Sequence, residues 1–417
     1  MRSIFSFEKS RISLEQAYFL LLCLVLFSLP LIPIRANNLI IVAAGIAGLW
    51  LAYKRHKLRK PFINRPLQLI LLLFLLQVAG LVYSSAPLVG LRNIETKLPL
   101  IVFPLLAVLT RFALNERAFR MLLWAFVMGV LVTCLIGWGK VVPALFALDF
   151  QRALENSHLK FSPFIHTAYL GLYTSFSIVI VLVDARKYPS KRKLKIALIV
   201  VLLLSLIFIN ARTATAGLVL VLFPYVFIQF KKYFWILLVG FIVFMAALLL
   251  HPVTQHRFIE APLKAIRLKG RVDGHDESNW SFSFRYQVYD CALDQIRNRP
   301  LVGYGTGGDE PAMLKCYKER QYDMVLDRRL DAHNEYLEGM VRHGIVGLLL
   351  YLLVLGVPLF RSFRQDFPEF YLFLLLFAFS GISESLLNVH KGNVFFGFFY
   401  SLLSCRLDEQ PKKSASE

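Results

Sequence analysis

This 417-residue sequence predicts an all-α, polytopic integral membrane protein. Hydrophobic residues make up 57% of it and charged residues 18%, with 36 Phe. Runs such as Leu69–Leu76 and Ile196–Ile209 carry no charge at all. A soluble chain cannot hide that much apolar surface, whereas a bilayer accepts it. The basic residues, which give a formal net charge of +20, collect in alternate short loops between the apolar runs. That placement is a topology signal, and no nucleic-acid site is read from it.

Apolar windows mark about twelve spans, at 14–34, 38–53, 66–84, 97–110, 119–138, 164–183, 194–210, 213–230, 233–250, 344–360, 369–386 and 392–405. Arg2, Lys9 and Arg11 precede the first run, which has no small-residue cleavage site and reads as an anchor rather than a cleaved signal. Loops on that same side hold 25 of the 47 basic residues, among them Lys54, Arg65, Arg120, Arg186, Lys187, Lys195, Arg361 and Arg406. Short loops on the opposite side carry only about eight, so both termini are expected in the cytoplasm and the long polar stretch outside it. The chain divides into spans one to nine (1–250), an outer loop (251–343), spans ten to twelve (344–405) and a cytoplasmic tail (406–417). The last residues, Gln410–Glu417, are polar and expected to be disordered.

Within the outer loop, Tyr286, Tyr289, Ala292, Leu293 and Ile296 recur at helical spacing, so an amphipathic helix is expected over Phe284–Arg297. Arg299-Pro300 stops it, and Gly303-Tyr304-Gly305-Thr306-Gly307-Gly308 makes a turn. On paper that run matches GxGxxG, but it follows no strand and opens no βαβ unit, so it is not read as a dinucleotide site. A second helix is expected to start at Asp331 or Ala332 and to continue into the tenth span. Cys23, Cys134 and Cys405 fall in or beside apolar runs and read as packing residues. Cys291 and Cys316 both lie in the polar loop, where an oxidising compartment would allow a disulfide.

Several polar residues stand where chemistry is available. Arg212, in FINARTATAG, follows a span directly and is expected at the outer membrane face, either snorkelling to headgroups or clamping an anion. Arg285 begins the loop helix, as a solvated arginine or as the second arm of a diphosphate clamp. His333 has the pKa to accept a hydroxyl proton near neutrality, and Asn334, Asp331 and Glu335 surround it. Helix capping and metal binding are the rival readings of His333, the latter without HExxH or Cys/His spacing. Arg92, Glu95 and Lys97, in GLRNIETKLPL, lie on the outer side at the head of the fourth span, as an interfacial helix that binds lipid phosphate or a solvated face. His166 and Glu384 are ionisable groups at the outer ends of spans six and eleven.

HNEYLEGMVRHGIVG resembles the His-(Asn/Ser/Gln)-x9-Gly-x-x-Gly signature of the O-antigen ligase and polymerase superfamily, met here by His333, Asn334, Gly344 and Gly347. FRYQVYDCALDQIRNRPLVGYGTG looks like that family's arginine-helix-Pro-Gly-x-Gly segment. The arginine-x3-leucine spacing of the family is altered, because Ala216 stands where a leucine is usual and Leu218 comes two positions later. The resemblance implies a metal-independent, cofactor-free, inverting glycosyltransferase of the bacterial inner membrane, working at its periplasmic face. The implied donor is a glycan on undecaprenyl diphosphate and the implied acceptor is the lipid A–core of lipopolysaccharide. Arg212 and Arg285 would then hold the diphosphate, and His333 would assist the attacking hydroxyl. Asn334, Lys97, Arg92, His166 and Glu384 are the further substrate-binding candidates. An O-antigen polymerase and an O-linked protein oligosaccharyltransferase share this chemistry, and a glycolipid transporter is the non-catalytic alternative.

Overall fold

The first described helix opens on a capping box. The Ser13 hydroxyl accepts the Gln16 N–H, while the Gln16 side chain accepts the Ser13 N–H. The structure, a computed structural model, describes residues 13–55, 64–110, 112, 115–147, 161, 165–229, 235, 238–239, 242 and 280–409. Every regular element among them is helical. In order these are α1 (Leu14–Ser28), α2 (Ile34–Arg55), α3 (Arg65–Ala79), α4 (Pro87–Lys97), α5 (Pro99–Thr110), α6 (Glu116–Ala147), α7 (Thr167–Lys187), α8 (Arg192–Ile209) and α9 (Arg212–Gln229). After them come α10 (Trp280–Asn298), α11 (Asp309–Glu319), α12 (Asp323–Asp327), α13 (Glu335–Arg364), α14 (Pro368–Ser380), a 3₁₀ turn at Leu386–Asn388 and α15 (His390–Leu407). Most of the expected ninth span, the first part of the outer loop and the tail Gln410–Glu417 lie outside the described residues.

Helices α2, α6, α7, α9 and α13 are long and apolar enough to cross a membrane. The pair α4 and α5, bent by 42°, makes a sixth if taken as one span. Helices α1, α3 and α14 are apolar but only 15, 15 and 13 residues long. Hydropathy windows overran several of these ends because the adjoining turns are themselves apolar. The expected first span, 14–34, takes in Leu29-Pro30-Leu31-Ile32-Pro33, which is a turn between α1 and α2. The expected fourth span begins inside α4, because Pro99 starts a new helix beyond Leu98.

Helix α7 runs through the centre of the bundle, against α6, α8, α9 and α14, and α15 lies against α5. Phenylalanine rings fill the space between them. Phe126, Phe176 and Phe373 surround Phe399, with ring centroids 4.9, 5.0 and 6.0 Å from it. In lipid, burying apolar area between helices yields little, so such interlocked rings and close helix approach hold the bundle. Each edge-on pair adds about 0.5–1.5 kcal/mol. Leu39, Val42, Ile46 and Trp50 of α2 remain exposed, as a lipid-facing stripe requires.

Polar side chains gather at the two ends of this apolar body. At one end Arg120 and Lys195 pair with Asp184, Lys187 pairs with Glu369 and Arg406 with Glu116. These are the loops that the basic-residue count assigned to one side. At the other end lie Lys97, Tyr169, Arg212, the segment from Arg285 to the start of α13, and the turn from Ile382 to Asn388. Helices α7 and α14 connect the ends: Lys187 meets Glu369 at the start of α14, and the Tyr169 hydroxyl approaches the Ser385 carbonyl beyond its finish.

Candidate active site

The described part of the outer loop folds over the bundle as a small helical cap with its own core, Val288, Cys291, Ala292, Met313, Cys316 and Tyr317. Helix α10 is longer than the expected Phe284–Arg297, spanning Trp280–Asn298. Cys291 of α10 and Cys316 of α11 are joined as a disulfide with Cα atoms 5.8 Å apart. Cys23, Cys134 and Cys405 are free, the last two buried.

The glycine run is a splice between cap and membrane helix. Helix α13 breaks at Gly344, where φ is 59° and ψ −154°. The carbonyls of Val341 and Arg342, which a continuous helix would spend on Ile345 and Val346, accept instead from the N–H groups of Tyr304 and Gly305. Ile345 and Val346 in turn donate to Pro300 and Leu301. A Cβ on Gly344 would stand 2.3 Å from the Leu301 carbonyl carbon, so no other residue fits. The run Gly303–Gly308 is thus a structural wedge between cap and helix.

The second loop helix starts later than Asp331 or Ala332. Asn334 is its N-cap: its side-chain oxygen accepts the N–H groups of Tyr336 and Leu337, and its amide donates to the Ile382 carbonyl at 2.9 Å. Before the cap, the Ala332 N–H is taken by Glu338 and the His333 N–H by Asp331, each through a side-chain carboxylate. His333 is therefore held outside the helix with a φ of 42°. The Asn334 side chain serves this cap.

Glu384 stands at the centre of the site. Its carboxylate oxygens lie 3.5 Å from His333 Nδ1 and 3.9 Å from Arg285 Nη2. Asp331 Oδ1 is 3.9 Å from the same imidazole nitrogen. The hydrogen bond with Glu384 raises the His333 pKa above the ordinary 6.5. Burial and the Arg285 charge pull it down, while Asp331 and the Glu384 charge support the rise. With Nδ1 turned to carboxylates, the neutral ring carries its proton there and keeps the Nε2 lone pair for another partner. The imidazole is about one-third exposed, so an incoming hydroxyl can reach it.

Arg212 is the first residue of α9, after a left-handed turn at Asn210, and is half-buried. It lies at the same end of the bundle: Gly217 of α9 packs against Phe379 at the end of α14, and Ser175 of α7 donates to the Ala214 carbonyl. His166 precedes α7 at this end, exposed, with its ring 6.4 Å from that of Tyr169. Lys97 is buried, its ammonium bonded to the Leu387 carbonyl and 3.4 Å from Asn388 Oδ1. Arg92 is exposed on α4. The described structure thus brings Arg285, Glu384 and His333 together, and sets Lys97 under them as a structural contact.

Sequence reasoning missed the polar layer beneath. Arg342 is buried and donates to Asp309 and Glu338, and its third contact is Asn388 at 3.0 Å. Burial acts to raise the Asp309 pKa, but the Arg342 charge overcomes this and holds the carboxyl below its ordinary range. Glu338 and Arg342 are four residues apart on the inward face of the signature helix, a spacing visible in HNEYLEGMVRHG. Asn388 carried no local signal. Among the described residues, no group of three or more His, Cys, Asp or Glu is arranged to hold a metal ion.

Residues 196–352 match the family model described as O-antigen ligase. This segment contains Arg212, Arg285, His333 and the Gly344 splice, though not Glu384 or Asn388. An uncharacterized protein of Haemophilus influenzae is 27% identical over 138 residues, covering 30% of this chain and 34% of that protein.

Proposed function

We propose, from the match of residues 196–352 to the O-antigen ligase family, that this protein transfers a glycan from undecaprenyl diphosphate to the lipid A–core of lipopolysaccharide at the periplasmic face of the inner membrane. One observation carries the reading: Arg285, Glu384 and His333 converge at the end of the bundle away from the basic loops. The Cys291–Cys316 disulfide in the same cap supports an oxidising, periplasmic side.

In this reading, the acceptor hydroxyl gives its proton to His333 Nε2 as its oxygen bonds the anomeric carbon. The bond from that carbon to the diphosphate breaks on the opposite face, inverting the centre. The lipid diphosphate leaves with the electron pair, and Arg285 and Arg212 stabilise the charge developing on its oxygens. Glu384 stabilises the imidazolium formed at His333, and such a base contributes typically ~10²–10⁴-fold.

Gel analysis of lipopolysaccharide and glycoprotein from gene-deleted cells tests the assignment. Loss of the polysaccharide ladder with intact core is the expected outcome, restored by the wild-type gene but not by His333→Ala. A ladder shortened to one repeat identifies a polymerase instead, and altered protein glycosylation an oligosaccharyltransferase. Full complementation by His333→Ala removes His333 as the base.

A further inference from the structure

We propose that Asn388, on the 3₁₀ turn after α14, is a positioning residue that sets both the place and the proton affinity of His333 through Asp331. The inference rests on the reading of His333 as the acceptor base.

A carboxamide offers two N–H donors and two acceptor lone pairs, and all four are used here. The Asn388 amide nitrogen donates to Asp331 Oδ2 and to Glu338 Oε1, each at 2.9 Å. Its oxygen accepts from Arg342 Nη1 at 3.0 Å and faces Lys97 Nζ at 3.4 Å. Two acids and two bases from α4, α13 and the loop before α13 therefore meet on one neutral side chain. No charged residue of this size satisfies all four, because a carboxylate there would face Asp331 and Glu338 with no proton to give.

The consequence passes to His333 through Asp331. One Asp331 oxygen takes the Asn388 amide and the other takes the His333 backbone N–H at 2.9 Å. That second bond helps hold the left-handed backbone at His333, a conformation unfavourable for a non-glycine residue. Asn388 thus fixes the carboxylate that fixes the imidazole. The charged groups bearing on His333 are Asp331, Glu384 and Arg285, with Glu335, Glu338, Arg342 and Lys97 in the layer that meets Asp331 and Asn388. Exchanging the neutral amide among them for a charge is felt at the ring.

The test is the single-turnover rate of glycan transfer against pH, using the full chain in membrane vesicles supplied with a polyprenyl-diphosphate-linked glycan. Asn388→Asp should lower the plateau rate by about tenfold to a hundredfold, the scale of a misplaced catalytic group. It should also move the acid limb upward by roughly one pH unit, since an added negative charge nearby favours the imidazolium. Asp331→Asn should move that limb downward, which a merely structural role would not do in opposite senses for the two variants. Unchanged limbs in both, with His333→Ala inactive, overturn the role of Asn388 and leave the base standing. An active His333→Ala instead sinks the base reading itself. If Asn388→Asp fails to accumulate in the membrane, Asn388→Ala takes its place: a plateau about tenfold below the wild type supports the role, and a wild-type plateau overturns it.

Discussion

In the proposed reaction His333 is the base, and Glu384, 3.5 Å from its Nδ1, tunes it. Because the Glu384 hydrogen bond raises its pKa, the ring is more protonated at neutral pH than an ordinary histidine. A base must be neutral to act, so transfer is expected to increase as pH rises through a midpoint above 6.5. Glu384→Gln should move that midpoint down and lower the plateau by at least about tenfold, since the imidazolium formed in the reaction loses its partner. An unshifted acid limb in a pH–rate profile of that variant would count against the pairing. The same shift contributes to stability in the opposite sense. It is fully present below the unfolded pKa near 6.5 and lost as pH rises through the raised folded value. Arg285→Lys should reduce kcat/KM for the lipid-linked donor by about tenfold to a hundredfold, because a point charge replaces a bidentate fork. Equal kcat/KM values for the two proteins would argue against diphosphate binding at Arg285. Glu384 was legible as an ionisable group at a helix end, but its partnership with a residue 51 positions away in the chain was not.

Among the elements, α13 shows most clearly how a signature becomes a structure. Its two glycines are spaced as in the family pattern, and the first permits the break into which Tyr304 and Gly305 insert. Gly344→Ala should destabilise the protein by about 1–3 kcal/mol from the backbone strain, and by more where Leu301 cannot retreat. Thermal inactivation in detergent measures this, and a wild-type midpoint for Gly344→Ala would contradict it. The helical periodicity of Tyr286, Tyr289 and Ile296 located α10 from sequence to within a few residues of its ends. The start of α13 was read three or four residues early, since capping by Asn334 excludes Asp331–His333 from the helix although their composition allows it. Turns such as Leu29–Pro33 were folded into spans because hydropathy alone does not register a change of direction. The fourth span, read from Lys97, began two residues early, since α4 ends at Lys97 and α5 starts at Pro99.

Taken as a whole molecule, the helical ends sort into a basic side and a side carrying the cap. A reporter phosphatase that folds only in an oxidising compartment should be inactive when fused after Glu409 and active when fused after Arg320. The reverse result would invert the proposed topology and remove the periplasmic site with it. Membrane class and the residues worth testing were legible in the sequence itself, and the basic loops supplied an expected direction. These depend on composition and local order: apolar length sets a span, the distribution of Lys and Arg sets its direction, and a short motif preserves local chemistry. Tertiary structure decided which of those residues meet. Arg285, His333, Glu384 and Asn388 are carried on separate elements, and only the packing of the cap onto the ends of α13 and α14 brings them within reach. Tertiary structure also divided the candidates, giving Asn334 to a helix cap and burying Lys97 beneath Asn388. That division depends on desolvation and hydrogen-bond geometry, which are properties of neighbours distant in the chain.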